Sequence, residues 1–146
     1  MLLALEEAEN AASLGEVPVG CVIVDRVSRE VVARAHNMSE QGRNANLHAE
    51  IIAINEACIA LDSKNLSELD IYVTLEPCTM CASAISNARI KRLYYGAPDE
   101  KQGAVENGVR FFTSTACLHR PEIYSGIQSS RSKKMLRDFF IQLRKE

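Results

Sequence analysis

Two short motifs contain residue types that can hold a metal ion and move protons. His48-Ala49-Glu50 follows a polar loop, and Pro77-Cys78-Thr79-Met80-Cys81 follows a run of strand-forming residues. Each motif precedes a segment of helical pattern, so both are expected to open a helix. One imidazole and two thiolates are typical zinc ligands, and three protein ligands leave a fourth position for water, as in catalytic zinc sites. We therefore predict that His48, Cys78 and Cys81 bind one Zn²⁺ per chain and that Glu50 is the catalytic residue.

The spacing within each motif supports this prediction. Cys78 and Cys81 are three residues apart, which makes them neighbours on a first helical turn, where the helix dipole favours thiolates. His48 and Glu50 would diverge in mid-helix, but at a helix start both can reach the space ahead of the axis. Two thiolates and a neutral imidazole cancel the charge of Zn²⁺, so we expect the ion to acidify its water less than an all-histidine site would. A general acid/base is then needed, and Glu50 can act as one.

Neither motif is specific on its own. A lone Cys-x-x-Cys also occurs in redox pairs and in halves of structural zinc sites. No second Cys-x-x-Cys completes a structural site, and a thioredoxin-type pair leaves His-Ala-Glu without a role. His36 and His119 have no partner at metal-ligand spacing, so they are not expected to be ligands. Together, the two motifs form a signature of zinc-dependent nucleobase deaminases.

The segments around the motifs predict a layered α/β domain. Helical patterns cover residues 2–14, a segment from about 48, residues 79–87 and the C-terminal segment, and strand patterns cover 19–24, 31–35, 70–75, 92–97 and 122–127. The first two strands are expected to form a hairpin, which makes the sheet mixed, and Gly15 is expected to end the first helix. Cys21 and Cys58 lie in apolar runs and are expected to be small buried hydrophobes.

The composition is that of one globular domain spanning residues 1–146, with 47% hydrophobic and 25% charged residues. No apolar run is long enough to predict a membrane span, and an odd count of five cysteines favours reduced thiols, so a cytoplasmic location is expected. The net charge of −2 argues against a uniformly basic nucleic-acid binder. From Ser129 onward, however, six basic residues face two acidic ones, which suits either a phosphate contact or a solvated helix face.

The two motifs carry the signature of the cytidine-deaminase-like superfamily, and further motifs resemble the bacterial tRNA-specific adenosine deaminases. These are residues 15–20 (Gly-Glu-Val-Pro-Val-Gly), Asn37, residues 73–82, Arg89-Ile90, residues 96–104, and Phe139-Phe140 near Arg144. The resemblance implies a three-layer α/β/α fold with a five-stranded mixed sheet flanked by helices, and a homodimer. It implies conversion of adenosine to inosine at the wobble position of a tRNA anticodon. It also implies that the anticodon stem-loop is bound by Asn37, Ala49, Asp99 and Lys101.

Departures from that family concern the substrate rather than the metal. Residues 44–47 read Asn-Ala-Asn-Leu where Asp-Pro-Thr-Ala is common, and Leu118 stands where Asn is usual. One alternative is a free-base or nucleoside deaminase acting on guanine or cytosine, because such enzymes share the zinc signature. Another is a non-catalytic zinc-binding partner subunit, but inactive partners of this family lack the glutamate that Glu50 supplies. The match over residues 96–104 and the basic C-terminal segment favour RNA.

Overall fold

A five-stranded mixed sheet forms the middle layer of the computed structural model, which describes residues 1–146. Its strands are β1 (Gly20–Asp25), β2 (Val31–His36), β3 (Leu69–Leu75), β4 (Arg92–Ala97) and β5 (Glu122–Tyr124). The order across the sheet is β2-β1-β3-β4-β5. Strand β1 runs antiparallel to β2 and to β3, whereas β3, β4 and β5 are parallel. The predicted hairpin and the mixed sheet are both confirmed.

Four helices cover the two faces of this sheet. They are α1 (Leu2–Ser13), α2 (Ala49–Leu61), α3 (Thr79–Ala88) and α4 (Ser129–Lys145). Helices α1 and α4 contact each other and pack on one face, while α2 and α3 contact each other and pack on the opposite face. This arrangement is the three-layer α/β/α fold expected from the sequence. None of the helices combines the length and the apolar character that a membrane span requires.

Successive residues of β1 point to opposite faces of the sheet, so the strand contacts the helices on both sides. Gly20 faces α1, and a Cβ at this position would lie 2.6 Å from the backbone nitrogen of Ala8, so only glycine lets α1 approach so closely. The next residue, Cys21, points to the opposite face and is fully buried in the main core, together with Ile23 and with Ala53 of α2. Small side chains on α1 and α2 let both helices lie close to the sheet. This close packing fixes the positions of the helix ends.

Most element bounds agree with the sequence predictions to within one or two residues, and the differences have local causes. Strand β5 is shorter than predicted, because the chain turns at Gly126 (φ +78°) and then enters α4. Gly15, also at φ +78°, follows the end of α1 as expected. Cys21 is fully buried as predicted, but the prediction for Cys58 is wrong. Cys58 is only half-buried, beside Ile59, whose side chain is 81% exposed.

Candidate active site

The predicted metal ligands meet at the N-termini of two helices. His48 is the N-cap residue of α2, with extended backbone (φ −76°, ψ 152°), and Cys78 is the N-cap residue of α3 (φ −74°, ψ 177°). Cys81 lies in the first turn of α3. Because His48 precedes the first residue of α2, its ring can turn toward the N-terminus of α3. The donor atoms of His48, Cys78 and Cys81 all lie within 4.8 Å of one another.

The distances in this cluster fit a tetrahedral metal ion. His48 Nδ1 lies 3.6 Å from Cys78 Sγ and 3.5 Å from Cys81 Sγ. Zinc–sulfur bonds of ~2.3 Å and zinc–nitrogen bonds of ~2.0–2.1 Å at tetrahedral angles separate nitrogen from sulfur by about 3.6 Å. The two thiols and the imidazole can therefore hold a zinc ion with little rearrangement. Cys81 is fully buried, whereas His48 and Cys78 are half-buried and lie toward solvent.

The electrostatics of the cluster also favour a cation. A hydrogen bond from the Cys81 thiol, helped by the neighbouring His48 ring, lowers the pKa of Cys78 to about 4. The same pairing with Cys78, together with burial, raises the pKa of Cys81. The hydrogen bond to Cys78 raises the pKa of His48, and burial opposes it. The pair thus favours a thiolate at Cys78, and a bound cation would replace the proton on Cys81.

Glu50 lies in the first turn of α2 beside this cluster and is only 4% exposed. Burial raises the pKa of its carboxyl group to about 7, although backbone hydrogen bonding and the nearby His48 oppose that rise. A carboxyl group with a pKa near neutrality can both accept and release a proton at physiological pH. The structure therefore brings Glu50 to the His48–Cys78–Cys81 cluster in an environment suited to general acid/base chemistry.

A cleft of about 780 Å³ opens above the cluster. His48, Cys78 and Glu50 form part of its wall, and its other residues come from five separate segments. These residues are Val17, Val19, Asn37, Ser39, Leu75, Glu76, residues 98–102, Leu136, Arg137, Phe140 and Arg144. A cleft of this size can take up a nucleoside together with part of its surroundings.

Three of the four residues predicted to bind substrate line this cleft, namely Asn37, Asp99 and Lys101. The Asn37 side chain is 8% exposed, and its Oδ1 accepts a hydrogen bond of 2.9 Å from the Ala49 N–H. The Asn37 amide nitrogen is therefore free to face the cleft. Ala49 itself is fully buried and is not part of the wall, because its N–H is directed to Asn37. Ala49 thus contacts Asn37, which lines the cleft, but does not line the cleft itself.

One face of α4 reaches the cleft, which sequence patterns alone did not predict. Of the six basic residues in this segment, Arg137 and Arg144 line the cleft. Arg131 lies 3.5 Å from Glu9 of α1 and Lys134 lies 2.6 Å from Asp138, and neither of the two lines the cleft. A spacing of seven residues puts Arg137 and Arg144 on the same side of α4, and this periodicity was the available signal.

His36 and His119 lie outside the cluster. His36 Nδ1 lies 2.9 Å from a carboxylate oxygen of Glu7, and His119 Nε2 lies 2.9 Å from the carbonyl oxygen of Ile90. Both rings therefore have structural partners. Glu76, to which the sequence motifs assigned no separate role, also lines the cleft and is buried with 2% exposure.

The sheet order and the ligand cluster at two helix N-termini define a deaminase of the cytidine-deaminase-like fold, and the profile of the MafB19-like deaminases matches residues 1–144. The chain is 58% identical over 141 residues to a tRNA-specific adenosine deaminase of Rickettsia typhi, covering 97% of this chain and 95% of the relative. It is 52% identical over 144 residues to the Agrobacterium fabrum protein of the same name, covering 99% of this chain and 93% of that protein. The chain belongs to the family of the tRNA-specific adenosine deaminases.

A solved structure agrees with this assignment. It comes from biochemical and structural studies of A-to-I editing by tRNA:A34 deaminases at the wobble position of transfer RNA. It is 52% identical to this chain, superposes with a TM-score of 0.90, and the match covers 93% of this chain and 97% of that one. The five-stranded fold expected from the sequence is therefore also the fold of a close relative.

Proposed function

We propose that this protein hydrolyses the exocyclic amine of adenosine at the wobble position of a tRNA anticodon, yielding inosine and ammonia. One observation carries the proposal: the His48–Cys78–Cys81 cluster and the buried Glu50 lie in a cleft that basic side chains of α4 also line. The names of the relatives support the substrate, since proteins 52–58% identical over nearly the whole chain are tRNA-specific adenosine deaminases.

The proposed cofactor is one zinc ion per chain, held by His48, Cys78 and Cys81. The spacing of their donor atoms and the lowered pKa of Cys78 support it. When bound, such an ion supplies Lewis acidity that makes a water molecule a stronger acid. The expected stoichiometry is one zinc per chain by elemental analysis, and Cys78→Ala is expected to lose the metal. A fully active protein without zinc would contradict this ligand assignment.

Glu50 is the proposed proton carrier. Its carboxylate takes a proton from the attacking water and passes it to the purine ring nitrogen. Glu50 then takes the remaining proton from the hydroxyl group now on C6 and gives it to the leaving amine. The C6–N bond breaks, ammonia departs, and the oxygen stays on C6 as the carbonyl. The pKa of about 7 supports this role because both transfers need a group that changes charge readily near neutral pH.

The cleft wall provides contacts for a flipped base and its neighbours. We propose that the Asn37 amide nitrogen hydrogen-bonds the base, that Asp99 and Lys101 lie beside the anticodon loop, and that Arg137 and Arg144 contact its phosphates. All five line the cleft, which supports a common substrate. An anticodon loop nucleotide is already unpaired, so its extrusion costs little. Ala49 contributes through its N–H bond to Asn37, which orients that side chain.

A homodimer is also part of the proposal. Apolar side chains on α2 support it, because Ile59 is 81% exposed and Leu61 is 45% exposed. Sedimentation at micromolar concentration tests this assembly, and a monomer would contradict it. Because tRNA is the proposed substrate, we further propose that the protein acts in the cytoplasm.

The deciding experiment offers three substrates to the zinc-loaded protein. These are an anticodon stem-loop with adenosine at the wobble position, free guanine and free cytosine. Ammonia release and the mass of the RNA product are the measurements. Turnover of the stem-loop alone is expected, and a matched stem-loop with guanosine at the wobble position is the control. Turnover of a free base without turnover of the stem-loop would overturn the proposal.

A further inference from the structure

A buried carboxylate stands directly before the cysteine motif and has no part in the chemistry described so far. Glu76 follows the last residue of β3 and precedes Pro77, and it is 2% exposed. Its carboxylate accepts five hydrogen bonds, all from one segment of chain. Oε1 accepts from the Asp99 N–H (3.0 Å) and from Asn107 Nδ2 (2.7 Å). Oε2 accepts from three consecutive amides, those of Val105 (3.0 Å), Glu106 (3.0 Å) and Asn107 (3.1 Å).

The segment that these bonds hold is the 98–108 loop, meaning residues 98 to 108 after the end of β4. It contains no helix or strand, so its shape depends on such contacts. Residues 98–102 of the loop line the cleft. A Cβ on Gly103 would lie 2.5 Å from Glu76 Cδ, so the loop backbone passes directly over the carboxylate. The Ala104 N–H also bonds the Pro77 carbonyl at 2.9 Å, which ties the loop to the cysteine motif.

We infer that Glu76 is a positioning residue for the substrate: its carboxylate folds the 98–108 loop into the shape that presents Lys101 and Gln102 at the cleft. The inference rests on the function proposed above. Asp99 bridges the two parts of this arrangement. Its N–H bonds Glu76, while its Oδ1 accepts the N–H groups of Lys101 and Gln102 at 3.0 Å each. The carboxylate thus holds a turn whose other side faces the substrate.

The chemistry of the five donors makes the nearly isosteric Glu76→Gln a sharp test. Every partner of Oε1 and every partner of Oε2 is a hydrogen-bond donor. A glutamine NH₂ group on the Oε2 side faces three backbone N–H groups and leaves them without an acceptor. On the Oε1 side it can pair with Asn107 only if that side-chain amide flips, and the Asp99 N–H still loses its acceptor. Since bonds to a charged acceptor are the stronger ones, the loss should be large for so small a change in shape.

The experiment compares Glu76→Gln with wild type in the zinc-loaded protein. Hydrogen exchange of the amides of Val105, Glu106 and Asn107 should become at least about tenfold faster, while exchange in β3 stays unchanged. The KM for the anticodon stem-loop should rise about tenfold, with kcat altered much less, and the zinc content should remain one per chain. Glu68→Gln is the matched control, because Glu68 is exposed and pairs with Arg26 on a different part of the surface.

Two further variants keep the inference testable if Glu76→Gln folds poorly. Asn107→Ala removes one of the five bonds and should give the same pattern with a smaller change. The double variant Glu76→Gln with Asn107→Asp lets the new amide donate to the new carboxylate, so it should recover part of the lost protection and affinity. Rescue of this kind is not expected if residue 76 acts only by filling space.

Three results would overturn the inference. They are unchanged exchange of the loop amides, loss of zinc from Glu76→Gln, and a fall in kcat with KM unchanged. Loss of zinc would assign Glu76 to the support of Cys78, and a kcat effect would assign it to the chemistry. Because exchange and zinc content need no substrate, they test Glu76 even if the stem-loop is not turned over.

Discussion

The contribution of α4 to RNA binding can be tested by removing two charges from one of its faces. Arg137 and Arg144 line the cleft, whereas Arg131 and Lys134 on the same helix do not. The double variant Arg137→Gln/Arg144→Gln removes two positive charges at the cleft. The control Arg131→Gln/Lys134→Gln removes the same net charge from positions that are ion-paired with Glu9 and Asp138.

The expected size follows from counterion release. Each phosphate contact in a single-stranded nucleic acid contributes about −0.7 to the slope of log K against log salt. If Arg137 and Arg144 each neutralise one phosphate, their removal flattens the slope by about 1.4 and weakens binding about 25-fold at roughly 0.1 M salt. The control should change the slope by less than half as much, because its charges act only over a distance and are screened.

Fluorescence anisotropy with a labelled anticodon stem-loop measures this effect over roughly 0.05 to 0.3 M salt. Both variants are made in a Glu50→Gln background, so that the RNA is bound without being converted. Equal losses in the two variants would refute the reasoning, because they would reflect net charge rather than position. An unchanged slope in the cleft variant would return this face of α4 to the role of a solvated surface.

Three other perturbations have outcomes that the structure predicts. Glu50→Gln should retain zinc and lose at least about 100-fold in kcat, measured by ammonia release; normal turnover would mean that another group moves the proton. Burial alone would raise the pKa of Glu7, but hydrogen bonds from His36 and Arg34 hold that pKa below the usual 4.5. The Glu7 carboxylate therefore stabilises the fold above pH 4.5. This contribution is lost as the pH falls through the pKa of Glu7 in the folded state. Glu7→Gln should therefore destabilise by about 1–3 kcal/mol at pH 7, with the gap in melting temperature closing below pH 4.5; a gap independent of pH would contradict the carboxylate's role. Gly20→Ala would push its Cβ into the backbone of α1 and should cost at least about 2 kcal/mol in urea unfolding, whereas an unchanged midpoint would show that α1 shifts freely.

The His48–Cys78–Cys81 cluster was predictable because its determinants are local. His48 and Cys78 each cap a helix, and a helix start can be located from the loop or strand before it. Cys81 follows from Cys78 by the spacing of one helical turn. Only the proximity of the two helix N-termini depends on the tertiary fold. The alternation of strands and helices in the sequence already indicated that fold, a layered α/β domain.

The walls of the cleft were less predictable because they depend on contacts distant in sequence. Glu76 reaches donors 23 to 31 residues away, and nothing in its own neighbourhood indicates where they lie. The docking of α4 on the sheet decides that Arg137 and Arg144 face the cleft, and charge alone could not separate them from Arg131 and Lys134. Residues at an element's own end were thus predictable, whereas residues positioned by a loop or by helix docking were not.

The shape of the cleft bears on the choice between a free base and RNA. Its volume of about 780 Å³ lies in the upper range for drug-sized ligands, whereas a purine base alone is much smaller. The small part of the cleft near Asn37 and Glu50 is buried, but the outer part is bounded by exposed side chains of Lys101 and Arg144. A free base would leave the basic side chains of Lys101, Arg137 and Arg144 in this wall without a partner, whereas an extruded nucleotide brings its phosphates and neighbours to them. The exposed basic side chains at the cleft entrance therefore favour a nucleotide within an RNA chain over a free base. The salt dependence of binding in the α4 variants measures the contacts of these side chains with phosphate.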